Sequence, residues 1–177
     1  MKSRLVAIAA VLAIVGLTTS GCLPQPDAEP TPSSGFSSEK EAFAAAEGTY
    51  RAYVDALNGV DLSDPKTFED VYAWTTGDLN ATDRKTFSQM HADGWVVGGE
   101  SRISRIDQES ASPELDQVEI AACVDVSTVT LIDADGVSKV SDDRPATQST
   151  RVTLVKAESP TGFLVADSQG AELDPPC

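Results

Sequence analysis

The sequence predicts one α+β domain, with helices in its first half and antiparallel strands in its second. Two observations carry this. Phe43, Ala46, Tyr50, Tyr53, Val54 and Leu57 recur at helical spacing and form one apolar stripe. Val118, Ile120, Ala122, Val124 and Val126 instead alternate with Glu119, Ala121, Cys123, Asp125 and Ser127, the period of a half-buried strand. Helical segments followed by a run of strands, rather than interleaved with them, define an α+β layer architecture.

The chain opens with a targeting pattern over residues 1–21. Lys2 and Arg4 form a basic start, and Leu5 to Leu17 form an apolar run that Thr18, Thr19 and Ser20 cut short. A membrane span needs about 20 apolar residues, so this layout reads as a signal peptide. Ser20 and Gly21 before Cys22 fit the lipoprotein box, while Thr19 stands where Leu or Val is usual. The expectation is cleavage before Cys22 and acyl chains, such as palmitate, carried through its thiol. The alternative is an ordinary secretory signal that leaves a stray thiol. Each buried methylene contributes about 0.8 kcal/mol, and two chains hold where one binds only marginally. Residues 22–37, with four prolines between Leu23 and Ser34, read as an extended tether.

The domain is expected over residues 38–177. Ser38-Glu39-Lys40-Glu41 is a capping-box pattern that starts the long helix, and Asn58-Gly59 ends it. Asp64-Pro65 opens a second, shorter helix whose apolar face is Phe68, Val71 and Tyr72, and Gly77 closes it. A third helix runs from near Thr82 to Gly94 and carries Phe87 and Met90. Trp95 to Ile106 reads as a strand, with Gly98-Gly99 marking a bulge or a close approach. After the alternating strand, Val129 and Leu131 continue the pattern with a slip of one. Asp135-Gly136 signals a hairpin turn. Arg151 to Ala157 and Phe163 to Asp167 are two further strands, and Pro175-Pro176 leads the tail to Cys177.

Charge and cysteine content bound the function. The 177 residues hold 28 acidic and 13 basic side chains, a net charge of −15. Such a surface repels phosphate backbones, which argues against nucleic-acid binding. With Cys22 reserved for lipid, Cys123 and Cys177 remain, and an exported chain keeps paired thiols oxidised. The pair would close a loop of about 55 residues, for which chain entropy gives about 4 kcal/mol. Two free thiols or a metal pair are the alternatives. The single His91 and the absence of any Cys-x-x-Cys leave a metal pair without partners.

The order of elements is similar to that of nuclear-transport-factor-2-like proteins, also called SnoaL-like or cystatin-like. The segments Ala44 to Asn58, Asp78 to Trp95 and Cys123 to Ser127 carry the resemblance, and with the lipoprotein box they resemble a group of actinobacterial lipoproteins. The resemblance implies a cone-shaped, curved antiparallel sheet wrapped around the long helix, with a pocket at its open end. It also implies that isomerase, cyclase or dehydratase activity is found in this fold alongside many non-catalytic domains.

Five residues are candidates for such a pocket: Tyr53, Trp74, His91, Trp95 and Asp125. The aromatic residues can line a pocket or simply pack the core. His91, near a helix end, reads as structural unless a partner is found for it. Asp125 shares a strand face with Cys123, and would be a buried base if that face is concave or a surface carboxylate if it is convex. Asp133-Ala134-Asp135-Gly136 lacks the further ligands of a calcium loop and reads as a turn. No catalytic set, metal site or cofactor is assigned. The expected function is a lipoprotein, anchored through Cys22 at the extracytoplasmic face of the cell membrane, that binds a small ligand or an envelope protein without catalysis. An enzyme of the same fold, using a pocket acid or base, is the alternative.

Overall fold

The computed structural model describes residues 35–177, so Cys22, the leader and most of the tether lie outside the described residues. Helix α1 spans Glu39–Asn58. Ser38 Oγ accepts from the Glu41 N–H at 3.3 Å, and the Glu41 carboxylate accepts in return from Ser37 N and Oγ at 2.9 and 2.6 Å. The return bond of the capping box therefore falls one residue earlier than the pattern implies. Phe36 was expected in the tether, yet its ring stacks on Phe163 at 4.7 Å between centroids. Gly162, at φ +86°, leaves the room, since a Cβ there would come 2.8 Å from the Phe36 ring.

Asp64 caps one 3₁₀ turn over Pro65–Thr67, which runs directly into helix α2, Phe68–Tyr72. Helix α3 spans Gly77–Ala92 and starts five residues before the expected Thr82. Gly77 opens this helix rather than closing the one before. Its φ of +58° turns the chain from an extended segment into the helix, a conformation that favours glycine. In that segment Thr76 N donates to Val165 O and Val165 N to Trp74 O, both at 2.9 Å, so it covers one edge of the main sheet. Asn80 Nδ2 locks the corner by donating to Tyr72 O, Thr75 O and Thr75 Oγ1.

The expected strand over Trp95 to Ile106 is two strands in two sheets. Strand β1 (Val96–Gly98) pairs only with β4 (Thr130–Ile132). Strand β2 (Arg102–Ala111) joins β3 (Gln117–Asp125), β5 (Thr147–Lys156) and β6 (Phe163–Gly170) in an antiparallel sheet of order β2-β3-β5-β6. The break falls at Gly99, at φ +79°, where a Cβ would sit 2.0 Å from Thr128 O. Register shifts in β2 and between β5 and β6 bend the sheet. Asp133–Gly136 is the expected turn, closed by Gly136 N to Asp133 O at 3.0 Å, with an antiparallel bridge from Ile132 to Ser138 behind it.

The core lies between α1 and the inner sheet face. Phe43, Ala46, Tyr50, Tyr53 and Val54 meet Val118, Ile120, Ala122, Val124, Val152, Leu154, Phe163 and Val165, all buried. Each large side chain so placed contributes about 1.5–3 kcal/mol. On the outer face of this half-buried strand pattern, Ala121 and Cys123 are buried too. The C-terminal tail crosses there. Ala171 and Ser149 exchange two hydrogen bonds, Cys177 is disulfide-bonded to Cys123, and Arg105 donates to Pro175 O at 2.7 Å. Ser149, Cys123 and Arg105 are register partners on β5, β3 and β2, so the tail lies straight across three strands.

Replacing Cys177 by Ser should free this strap and lower unfolding stability by about 2–4 kcal/mol, since the bond closes a separation of 54 residues. Urea unfolding of both forms without reductant checks this. A midpoint unchanged by the substitution would remove the strap from the account of stability.

Candidate functional site

A cavity of about 530 Å³ opens beyond the C-terminal end of α1, where that helix and the main sheet part. Its walls come from separate elements. Leu57 of α1 and Val60 and Leu62 of the following loop form one side, and Phe87 and Met90 of α3 a second. Val97 of β1, with Val129 and Leu131 at β4, closes the third, and Lys139, Val140, Ser141 and Arg144 complete the rim. Two glycines bring the small sheet in: a Cβ at Gly98 would lie 3.0 Å from Thr130 Oγ1, and Gly99 leaves no room for one.

Polar groups hold the frame. Asn58 and Ser101 exchange two hydrogen bonds at 2.8 and 2.9 Å, tying the end of α1 to the start of β2. His91 Nδ1 lies 2.7 Å from Leu62 O. A carbonyl only accepts, so Nδ1 carries the proton, and the ring holds the loop behind the wall. Arg144 Nη2 donates to Val126 O and Val129 O at 2.7 and 2.8 Å. Lys139 pairs with Asp133 at 2.7 Å and lies 5.4 Å from the Trp95 ring centroid. Among the described residues, the wall holds no carboxylate, imidazole, phenol or thiol.

None of the five candidate residues lines this cavity. Tyr53 is a core residue of α1, its phenol pushed up by burial and further by Asp83 and Tyr50. Trp74 sits in the segment on the edge of β6, packed against the core. His91 is exposed and acts on the Leu62 loop. Trp95 borders a separate shallow groove with Lys85, Gln89 and Met90. Asp125 is a correction to the pocket set, because it lies on the outer face. Its Oδ1 accepts from Ser127 N at 2.9 Å, and hydrogen bonds from Ser127 hold its carboxyl below the usual range. Among the described residues no group of three His, Cys, Asp or Glu is placed to hold a metal, and no helix is long and apolar enough to cross a membrane.

Sequence reasoning missed Asp83. Leu79, Asp83, Phe87 and Met90 follow one another at helical spacing, so an acid on the apolar stripe of α3 was the available signal. Its Oδ2 is buried and has no hydrogen-bond partner. Burial pushes its carboxyl up to about 6, and its charge raises Tyr53 and Tyr72 in turn. It does not reach the cavity wall.

A folded-state pKa above the unfolded value means that folding favours the protonated acid. The penalty is absent below pH 4 and complete above pH 6. Asp83→Asn should therefore stabilise the protein at pH 8 by about 1–2 kcal/mol, after allowance for part-exposure, and the gain should vanish by pH 4. Paired urea titrations at the two pH values check this. A variant less stable than the parent at pH 8 would contradict it.

No protein-family model matches the chain, and no curated protein matches it. Solved structures similar to it include two with a TM-score of 0.50. One is the intermembrane-space region of the chloroplast protein ARC6, with a TM-score of 0.50 and 14% identity over 72% of this chain and 94% of that one. The other is a candidate aromatic ring hydroxylase from Novosphingobium aromaticivorans, with a TM-score of 0.50 and 14% identity over 76% of this chain and 96% of that one. At such identities the likeness is one of fold, α+β with helices packed on an antiparallel sheet.

Proposed function

We propose that the protein is a binding lipoprotein. Lipid on Cys22 holds it at the extracytoplasmic face of the cell membrane, and its domain takes an apolar small molecule into the cavity beyond α1. The cavity carries this reading: nine of its sixteen wall residues are aliphatic, Phe or Met, in a space of about 530 Å³. Volumes of about 300–1,000 Å³ with mostly apolar walls and a few placed polar groups are typical of small-molecule sites. General acid–base chemistry needs a proton donor or acceptor within hydrogen-bond reach of the substrate, and among the described residues the wall offers no carboxylate, imidazole or phenol for it. That favours binding over the isomerase, cyclase or dehydratase alternative. The lipid anchor rests on the sequence pattern at Cys22 and on the proline-rich segment behind it.

Titration with the neutral dye N-phenyl-1-naphthylamine tests the cavity. Saturable fluorescence at one dye per domain is expected, and Met90→Trp should weaken it at least about tenfold by filling the space. No saturable signal from the folded parent would overturn the reading. Intact mass of the membrane-extracted protein tests the anchor. The expected N-terminus is Cys22 with diacylglyceryl mass added, and any other N-terminus without lipid mass would overturn it.

A further inference from the structure

We infer that the cavity ligand is an amphiphile with one anionic end, a long-chain carboxylate in its simplest form. This rests on the binding reading above and specifies its ligand. The formal charges on the wall are Lys139 and Arg144, both positive, in a chain with 28 acidic and 13 basic residues. The arginines of the main sheet and helices stand beside carboxylates, as in Arg51–Glu47, Arg105–Asp107 and Arg151–Glu109. Arg144 is half-buried and, among the described residues, has no carboxylate within 4.0 Å.

The guanidinium of Arg144 is also oriented. Both of its hydrogen bonds use Nη2, to two carbonyls at the turn after β3. Nε and Nη1 make none among the described residues, so single donors remain for a ligand. Either can donate to a carboxylate oxygen, and such charge-assisted bonds are about twice as strong as neutral ones. Lys139 is a weaker second partner because Asp133 already pairs with it. The Ser141 hydroxyl lies on the same rim segment. Most of the remaining wall is apolar, with Leu57, Phe87, Met90 and Leu131 placed to take a hydrocarbon chain. A carboxylate would meet the free donors of Arg144, which a neutral apolar ligand would leave to solvent.

The test is displacement of N-phenyl-1-naphthylamine from the full domain by three ligands of equal chain length: dodecanoate, dodecanol and dodecyltrimethylammonium, all kept below micelle formation. Dodecanoate should displace the dye at about tenfold lower concentration than dodecanol, and the cation should be weakest. Arg144→Gln should bring the dodecanoate-to-dodecanol ratio close to one, and Lys139→Gln should lower it by about half. Comparing two ligands within each protein removes any general loss of binding. Where Arg144→Gln fails to fold, the parent ratio and the Lys139→Gln ratio decide. Dodecanol equal to or tighter than dodecanoate in the parent would overturn the anionic end and leave the cavity reading standing. Failure of the dye itself to bind would overturn the cavity reading instead.

Discussion

Val118, Ile120, Ala122 and Val124 of β3, with Val152 and Leu154 of β5, pack against Phe43, Ala46, Tyr50, Tyr53 and Val54 of α1, and the rest of the domain is arranged around that contact. Its energy outweighs every other local term. Each buried side chain contributes about 1.5–3 kcal/mol. A helix cap such as Ser38 adds about 1 kcal/mol, and exposed ion pairs such as Arg51–Glu47 add less. Thr49 inside this layer is satisfied locally, its Oγ1 donating to Ala45 O at 2.9 Å and meeting Thr161 Oγ1 at 2.6 Å. Asp83 has one oxygen unpaired at the margin of the core.

The cavity follows from where this contact ends. Helix α1 stops at Asn58 and β3 at Asp125, so beyond them the two layers no longer face each other. The ribbon of β1 and β4 spans the gap. Two strands alone are marginal in water, and this ribbon is fastened from outside. Asn58 holds Ser101, Thr128 exchanges two hydrogen bonds with Glu100, and Arg144 ties down the turn after β3. Side chains of Val and Leu size along the ribbon leave space that larger residues would fill. The chain enters the domain at Phe36, at the opposite end of α1 from this opening.

Much of the architecture was legible because period and caps are local signals. The stripe of α1, the alternation of β3 and the Asp135-Gly136 turn each appear in a few neighbouring residues. Gly77 misled, because a glycine serves equally to end one helix or to open the next, and only the contact of Trp74–Thr76 with β6 decides between them. The split of residues 95–106 was partly visible in Gly98-Gly99, but the strand they approach lies some thirty residues on. The cavity was not legible. Its walls are ordinary apolar residues drawn from α1, α3, β1 and β4, and nothing in their local spacing links them. Reading for rare residues selected Trp74, His91, Trp95 and Asp125, which the fold places elsewhere. His91 still bears on the cavity indirectly, through Leu62 O.

Arg144 shows how position overrides composition at this rim. Asp142 and Asp143 precede it directly, and either would be a natural partner on an open surface. It pairs with neither, because Val126 O and Val129 O hold its guanidinium inward. The surface acids are exposed, and at physiological salt their field fades over about 8 Å. A half-buried guanidinium is screened less, so it governs a ligand already at the mouth, while the acidic surface acts on the rate of approach. An anionic amphiphile would thus arrive against a weak repulsion and be held by a short-range one-sided attraction. Selectivity against cations would come from the absence of any carboxylate on the wall.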